Sequence, residues 1–404
     1  MIRIDLGPLG RFKYPVSLEA RKLSNYKTYL FEKSIKKTSS VKNIKRVHLV
    51  YPVGNKISTP DAIGQNLKLS LEKFYEVITY NYDEYRTIIP GKADVLIGHW
   101  HPNPFTVFRM SANIKGWKRV LALAPFCPDP TGWQNAFGNN IIENCDRYLA
   151  ITGNAWMKRL KESPFHHWEP KIIHLDLAVD RGDFPVIKEH FNPVEKRRFL
   201  YIGHTAWYKN ISFLEKLSGK LPETEFAWMG GNQPLKNIKG LGKFDFSNKD
   251  AKELIQEYDF LITVGSADAN PTTILEAMAW GLIPVCSKQS GYEGFTPIRN
   301  ISIDSMEDAV TTIKHLQSVS EVNLKKWQQE NLASLDKHFN WKRFCAQVLY
   351  EIESEEKPDL TETSFTNRLF LLFAELRSPS FWGRPINFYH FLKANLKYIL
   401  QNRV

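Results

Sequence analysis

The sequence predicts an α/β protein made of two Rossmann-like, doubly wound domains that face each other across a cleft. Apolar runs of strand length alternate with helix-length segments through the middle of the chain, as expected of strand–helix–strand units on parallel sheets. Each half opens in the same way: strand, glycine-bearing loop, helix. In the first half these are Val47–Val53 and the loop Gly54–Gly64; in the second they are Arg198–Ile202 and Gly203–Asn210. A polar, charged stretch over 185–197 separates the halves. The expected division is a basic N-terminal extension over 1–45, a first Rossmann-like domain over 46–190 and a second over 191–340. A crossover helix and a basic, aromatic tail packing on the first domain then fill 341–404. Ligands of such sheets bind outside the carboxyl ends of the strands.

A chain of 404 residues can bury two cores, and 43% apolar with 24% charged residues is ordinary for a globular protein. Cys127, Cys145, Cys286 and Cys345 are far apart with no Cys-x-x-Cys, which suggests reduced thiols in a cytoplasmic setting and argues against a zinc site. No signal-peptide core or membrane-spanning apolar run is visible. The net charge of +11 is uneven: residues 1–45 carry eleven Lys and Arg against three acids, and 363–404 carry six against one. The body is nearly neutral. The basic ends suggest contact with an anionic surface, either acidic lipid at the inner face of a membrane or an anionic glycan, or else two solvated terminal helices. Nucleic acid is not expected, because no reading motif accompanies the charge.

In the first half a weakly amphipathic helix is expected over Leu18–Lys37. After the first strand, Gly64 belongs to the glycine loop, and the helix then runs to about Phe74. Strands follow at Val77–Tyr80 and Asp94–Gly98. His99 and His101 stand at the second strand's end, where alternation places both on one face. They are candidate acceptor-side residues or a packed pair; a metal would need a third ligand. The strand Val120–Pro125 leads into a turn-rich loop, Phe126–Trp133, that contains Asp129. A strand at 146–152 and another from Ile172 complete the half.

In the second half Lys209 lies at the end of the first loop. Phe226–Gly231 is a strand and turn, and Gly242-Lys243-Phe244 precede a helix over Asn248–Glu257. The stretch Ser266–Gly281 (SADANPTTILEAMAWG) is the most informative. It follows the buried strand Tyr258–Val264, and Asn270 is a candidate cap with Pro271 at the first helical position. Gly281 ends the helix and Leu282–Ser287 forms the next strand. A helix N-terminus at a strand end favours phosphate, while Asp268 and Glu276 are suited to sugar or ribose hydroxyls. Otherwise Glu276 is a solvated helix residue. Helices over 303–316, Leu324–His338 and Trp341–Ile352 finish the half, the last a candidate to return to the first domain. The aromatic, basic segments Arg368–Leu376 and Asn387–Leu400 suit either packing on the first domain or an interfacial location.

Asp268, Pro271, Glu276-Ala277-Met278-Ala279, Gly281 and Pro284-Val285 resemble the signature of GT-B glycosyltransferases of the "glycosyl transferases group 1", retaining family 4-like type. Asp268 stands where that family usually has Glu. The resemblance is clear over about 200–300, weaker over 47–185, and missing from both basic ends. It implies that Lys209, and His204 in the place of the usual Arg, hold the donor diphosphate with Gly203. It implies that Ala269, Asn270, Pro271 and Thr272 line the donor, that Asp268 holds the donor sugar and Glu276 the ribose. Gly242, Lys243 and Phe244 would lie beside the base. Gly64 would face the cleft. The family histidine after the fourth strand is missing; Asp129 is what that loop offers on the acceptor side. The resemblance thus implies a retaining, metal-independent transfer from a nucleotide-sugar, without cofactor; the charge asymmetry alone suggests a glycan or lipid-linked acceptor at the cytoplasmic membrane face, in surface polysaccharide biosynthesis. The departures at Asp268, His204 and the missing histidine keep open a non-catalytic GT-B glycan-binding or partner subunit. An isomerase of nucleotide sugars is a third possibility.

Overall fold

In the computed structural model the residues described are 46–54, 58–103, 105–128, 141–245, 248–295, 297–358 and a few isolated positions beyond. The basic N-terminal segment, Asp129 and nearly all of the aromatic tail lie outside them.

Two six-stranded parallel sheets carry the fold. The first contains β1 (Arg46–Val50), β2 (Glu76–Tyr80), β3 (Val95–Gly98), β4 (Arg119–Pro125), β5 (Arg147–Ile151) and β6 (Ile172–Leu175) in the order β2-β1-β3-β4-β5-β6. The second contains β7 (Phe199–Ile202), β8 (Phe226–Met229), β9 (Lys239–Gly242), β10 (Phe260–Thr263), β11 (Ile283–Ser287) and β12 (Arg299–Ile301) in the order β12-β11-β10-β7-β8-β9. Most strands are short, continuous apolar runs, which suits sheets covered on both faces. One shared core includes Val47 and Leu49 of the first sheet, Leu200 and Leu261 of the second, and Leu275 and Trp280 between them. The outer face of each sheet has its own core.

The order of each sheet reverses once, between β1 and β3 and between β7 and β10. A doubly wound sheet opens a crevice at such a point. The helices of the first half are α1 (Thr59–Leu71), α2 (Val107–Ala112) and α3 (Asn154–Lys161). The second half supplies α4 (Ile211–Gly219), α5 (Lys249–Ile255), α6 (Thr272–Trp280), α7 (Met306–Ser318) and α8 (Glu321–His338). Helix α9 (Trp341–Glu353) packs back on α1 and β4. Its Glu351 is buried beside Arg119 (3.5 Å) and Arg147 (3.7 Å), and its Arg343 reaches Asp176 at 3.3 Å. Removing one partner of such buried pairs strands the other charge, so they fix α9 in place.

The first glycine loop is shorter than its sequence suggests. The helix begins at Thr59, with Ser58 before it and Pro60 in its first turn. Gly64 is therefore not in a cleft-facing loop but buried inside α1. A Cβ there would overlap the Pro52 carbonyl oxygen, so this glycine lets the helix lie against the chain leaving β1. All four cysteines are free and buried. Among the described residues no helix is long and apolar enough to cross a membrane.

Candidate functional site

The strand ends at the two reversal points meet. A cavity of about 250 Å³ is lined by Tyr51 after β1, His99 after β3, Lys209 after β7 and Asp268 after β10. Thr59 and Pro60 open α1 on one wall; Ala269, Asn270, Pro271, Thr272 and Thr273 lead into α6 on the other. Thr59 Oγ1 and Thr272 Oγ1 are 3.0 Å apart, so two helix N-termini converge on the same space. Their unbonded N–H groups and aligned dipoles favour an anion there.

Lys209 adds a full charge. It ends a tight turn, Trp207–Lys209, and Asn210 reverses the chain with φ +56° before α4. Its Nζ lies 2.6 Å from Asp268 Oδ2, and both side chains are mostly buried. The carbonyl of Tyr208 accepts from the N–H of Ser266, which ties the turn after β7 to the loop after β10. The pair is thus positioned by backbone, not by the side chains alone.

Asn270 does not cap the helix as the sequence suggests. Pro271 is the N-cap, and no side chain bonds the first turn. Asn270 sits one residue earlier with φ +49°. Its backbone N–H donates to the Ser290 carbonyl at 3.1 Å, and its side-chain amide donates to the Thr152 carbonyl of the first half. The helix start therefore stays open while Asn270 bridges the halves. Gly281 does end the helix in the left-handed conformation, φ +92°.

Glu276 lies one turn into α6, half-buried in a small recess with Thr59, Asn66, Asp180, Phe184 and Trp341. The recess and the cavity share Thr59 and Thr272. Burial raises the Glu276 carboxyl from 4.5 to about 7, partly opposed by a hydrogen bond from Thr272. The unliganded protein therefore holds a proton here that the unfolded chain has released between about pH 4.5 and 7. Stability contributed by this group falls as pH rises through that window. Glu276→Gln is expected to stabilise the unliganded protein by roughly 1–2 kcal/mol at pH 8, discounted for partial solvation, and by nothing at pH 4. Urea unfolding at the two pH values checks this; equal effects at both would remove the buried carboxyl from the account.

The other sequence candidates separate. His204 is exposed and turned onto its own loop: Nδ1 accepts from the Ala206 N–H at 3.2 Å and Nε2 meets the Tyr208 hydroxyl at 3.1 Å. It does not line the cavity, because the tight turn folds its ring back. Gly203 lies behind it, its carbonyl accepting from Trp228 Nε1 at 2.8 Å. Gly242 ends edge strand β9 with φ +94°; Lys243 is exposed and Phe244 packs on the shared core. This trio stands apart from the residues lining the cavity. His99 and His101 do not share a strand face, because β3 stops at Gly98. His101 stacks on Tyr82 at 5.7 Å and accepts from the Asn103 N–H, while His99 lines the cavity. Asp129 lies outside the described residues. Among those residues no cluster of three or more His, Cys, Asp or Glu could hold a metal.

Sequence reasoning passed over Thr59, Tyr51 and Thr152. The run Ser58-Thr59-Pro60-Asp61, a cap followed by proline and an acid, could have placed Thr59 at a helix start. No sequence signal marks Tyr51 or Thr152.

Compared by sequence, the chain matches no protein-family model and no curated protein. Solved structures do match. A sucrose-phosphate synthase from Thermosynechococcus elongatus is similar over 76% of this chain and 98% of its own, with a TM-score of 0.55 and 11% identity. Apo OtsA matches over 77% and 100%, with a TM-score of 0.55 and 9% identity. A trehalose-6-phosphate synthase matches over 76% and 99%, at 0.53 and 10%. The chain has the GT-B fold. In the GT-B frame the cavity lies between the two Rossmann-like halves, at the carboxyl ends of both sheets.

Proposed function

We propose that this GT-B protein is a glycosyltransferase that moves a sugar from a nucleotide-sugar to a hydroxyl acceptor. One observation carries the reading: the Lys209–Asp268 pair stands at the open N-terminus of α6, inside a cavity closed by the other half. The helix N-terminus and Lys209 would take the donor diphosphate and stabilise charge on it as it leaves. They supply positive charge without a metal ion, so the proposed reaction is metal-independent. Asp268 would accept hydrogen bonds from donor-sugar hydroxyls, and Glu276 from the ribose in the adjoining recess. Asp268 is the cavity's carboxylate among the described residues, and it is engaged by Lys209. An inverting attack would need a free base there, and the imidazole that also lines the cavity, His99, is a weak one because burial lowers it to about 3. We therefore favour retention, with the acceptor proton passing to the departing phosphate. We also propose that the acceptor is a glycan or lipid-linked sugar of surface polysaccharide biosynthesis, on the strength of the basic ends.

The non-catalytic alternative draws on His204, which offers no charge to the cavity. Turnover decides between the two. The purified chain is incubated with UDP-, GDP- and ADP-sugars, with and without anionic vesicles carrying a lipid-linked sugar. Release of one nucleoside diphosphate supports an enzyme, and faster release with the vesicles supports the acceptor. No release from any donor in either condition favours a binding subunit.

A further inference from the structure

Among the described residues Trp207 is the one exposed tryptophan, at 64%. It opens the tight turn after β7 whose last residue, Lys209, lines the cavity. The turn is fixed by its backbone. The Lys209 N–H donates to the Ala206 carbonyl at 2.9 Å, the Asn210 N–H to the Trp207 carbonyl at 3.1 Å, and the Ser266 N–H to the Tyr208 carbonyl at 2.8 Å. Tyr208 links the indole to the cavity. Its ring centre lies 5.6 Å from Lys209 Nζ and 5.8 Å from the Trp207 ring, which it meets edge-on. His204 packs edge-on to the same ring at 5.5 Å. Single exposed apolar side chains are ordinary, but a large ring held still in water beside a site asks for a partner with an apolar face.

The polar groups of the same ledge narrow the chemistry of that partner. Gln233, in the loop after β8, donates from Nε2 to Thr205 Oγ1 at 2.7 Å, and the pair is exposed. The amide keeps a second N–H and its carbonyl oxygen, and the hydroxyl keeps its proton. Burial and the nearby Lys209 lower His204 from its ordinary range, so it is neutral at pH 7. An indole on a loop of neutral donors and acceptors suits a pyranose, whose C–H face is apolar and whose rim carries hydroxyls. Anionic lipid or nucleic acid would ask for Lys or Arg at these positions. Lys209, the nearest cation, is engaged by Asp268. The two short steps from its ammonium to the indole are a span that a disaccharide covers.

We propose that Trp207, with Thr205 and Gln233, forms a platform outside the cavity for a further sugar unit of the acceptor, so that oligosaccharides are taken in preference to monosaccharides. It rests on the acceptor reading above and narrows that reading to a chain of two or more sugars. The indole stacks on a unit beyond the reacting hydroxyl and holds the chain in register. A rigid aromatic gives this contact at little cost in entropy. The second half, which otherwise handles the donor, thereby also selects the acceptor.

The test titrates wild type, Trp207→Ala and Trp207→Phe on an immobilised array of defined mono- to hexasaccharides, alone and with saturating UDP, GDP or ADP. Val322→Ala, at a residue 78% exposed on α8, is the control. Wild type and control are expected to retain at least one oligosaccharide about tenfold more tightly than its monosaccharide, the scale of one aromatic anchor. Trp207→Ala is expected to lose that increment and Trp207→Phe to recover part of it. Calorimetry with the three diphosphates keeps the donor site apart. Trp207→Ala should bind the diphosphate within about twofold of wild type, as a distant site does, which also shows that the variant is folded. Retention of no array member by wild type overturns the platform. So does equal retention by Trp207→Ala, or equal binding of mono- and oligosaccharides. Weaker diphosphate binding by Trp207→Ala with unchanged glycan retention assigns the indole to the nucleobase and overturns the platform too. A wild type that binds none of the three diphosphates overturns the donor-site reading instead.

Discussion

Lys209→Met is expected to lower donor turnover by at least roughly a hundredfold, the scale lost when one preorganised charge donor at a reacting centre is removed. The side chain has few substitutes. His204 turns away from the cavity, and the helix N-terminus contributes only partial charges spread over several N–H groups. The loss should fall mainly on kcat, because charge develops on the diphosphate as it leaves. Asp268→Asn is expected to cost less, since an amide still meets sugar hydroxyls, but it releases Lys209 from its 2.6 Å partner. The double variant should then lose about as much as Lys209→Met alone, because groups that act as one unit are not additive. Thermal unfolding separates chemistry from folding: an unpaired, mostly buried Asp268 costs about 1–3 kcal/mol. Turnover by Lys209→Met within tenfold of wild type would move the reacting centre out of this cavity.

The parts of this arrangement that were legible in the sequence are those governed by local rules. Apolar runs bounded by turn residues gave most of the strands to within a residue or two, since a strand buried on both faces must be apolar throughout. Pro271 and Gly281 bracket α6 because proline tolerates a helix start and glycine a left-handed end. Lys209 and Asp268 could be nominated from the motif they resemble. What stayed hidden depends on long-range geometry. Gly64 read as a loop glycine, because sequence cannot tell a glycine needed for a turn from one needed for close packing. His99 and His101 looked equivalent until β3 was found to end at Gly98; both rings lie against Tyr82, but His99 is the one that lines the cavity. Asn270 read as a local cap, yet its amide is engaged 118 residues away. Each error replaces a distant partner with a nearby one.

That distant partner is part of a seam with a sharp expected response. At one rim of the cleft the loop after β5 meets the loop after β11. Asn154 donates to the Glu293 carbonyl at 3.1 Å, Trp156 Nε1 donates to the Gln289 carbonyl at 2.7 Å, and Asn270 reaches Thr152. The backbones touch at Gly153 and Gly291, where a Cβ on Gly153 would overlap the backbone of Gly291. Backbone cannot step aside as a flexible side chain can. Gly153→Ala must therefore part the seam and weaken all three hydrogen bonds. The expected cost is about 2–4 kcal/mol, combining overpacking with lost bonds. Gly240→Ala is the control: its Cβ meets nothing within 4 Å, so the change is expected to be neutral or slightly stabilising. Because Asn270 lines the cavity and is held by this seam, Gly153→Ala should also weaken donor binding, whereas Gly240→Ala should not. Urea unfolding and donor titration of the two variants side by side test the seam. If Gly153→Ala matches Gly240→Ala in both measurements, the halves do not meet at Gly153 in solution, and the cavity is open along that rim.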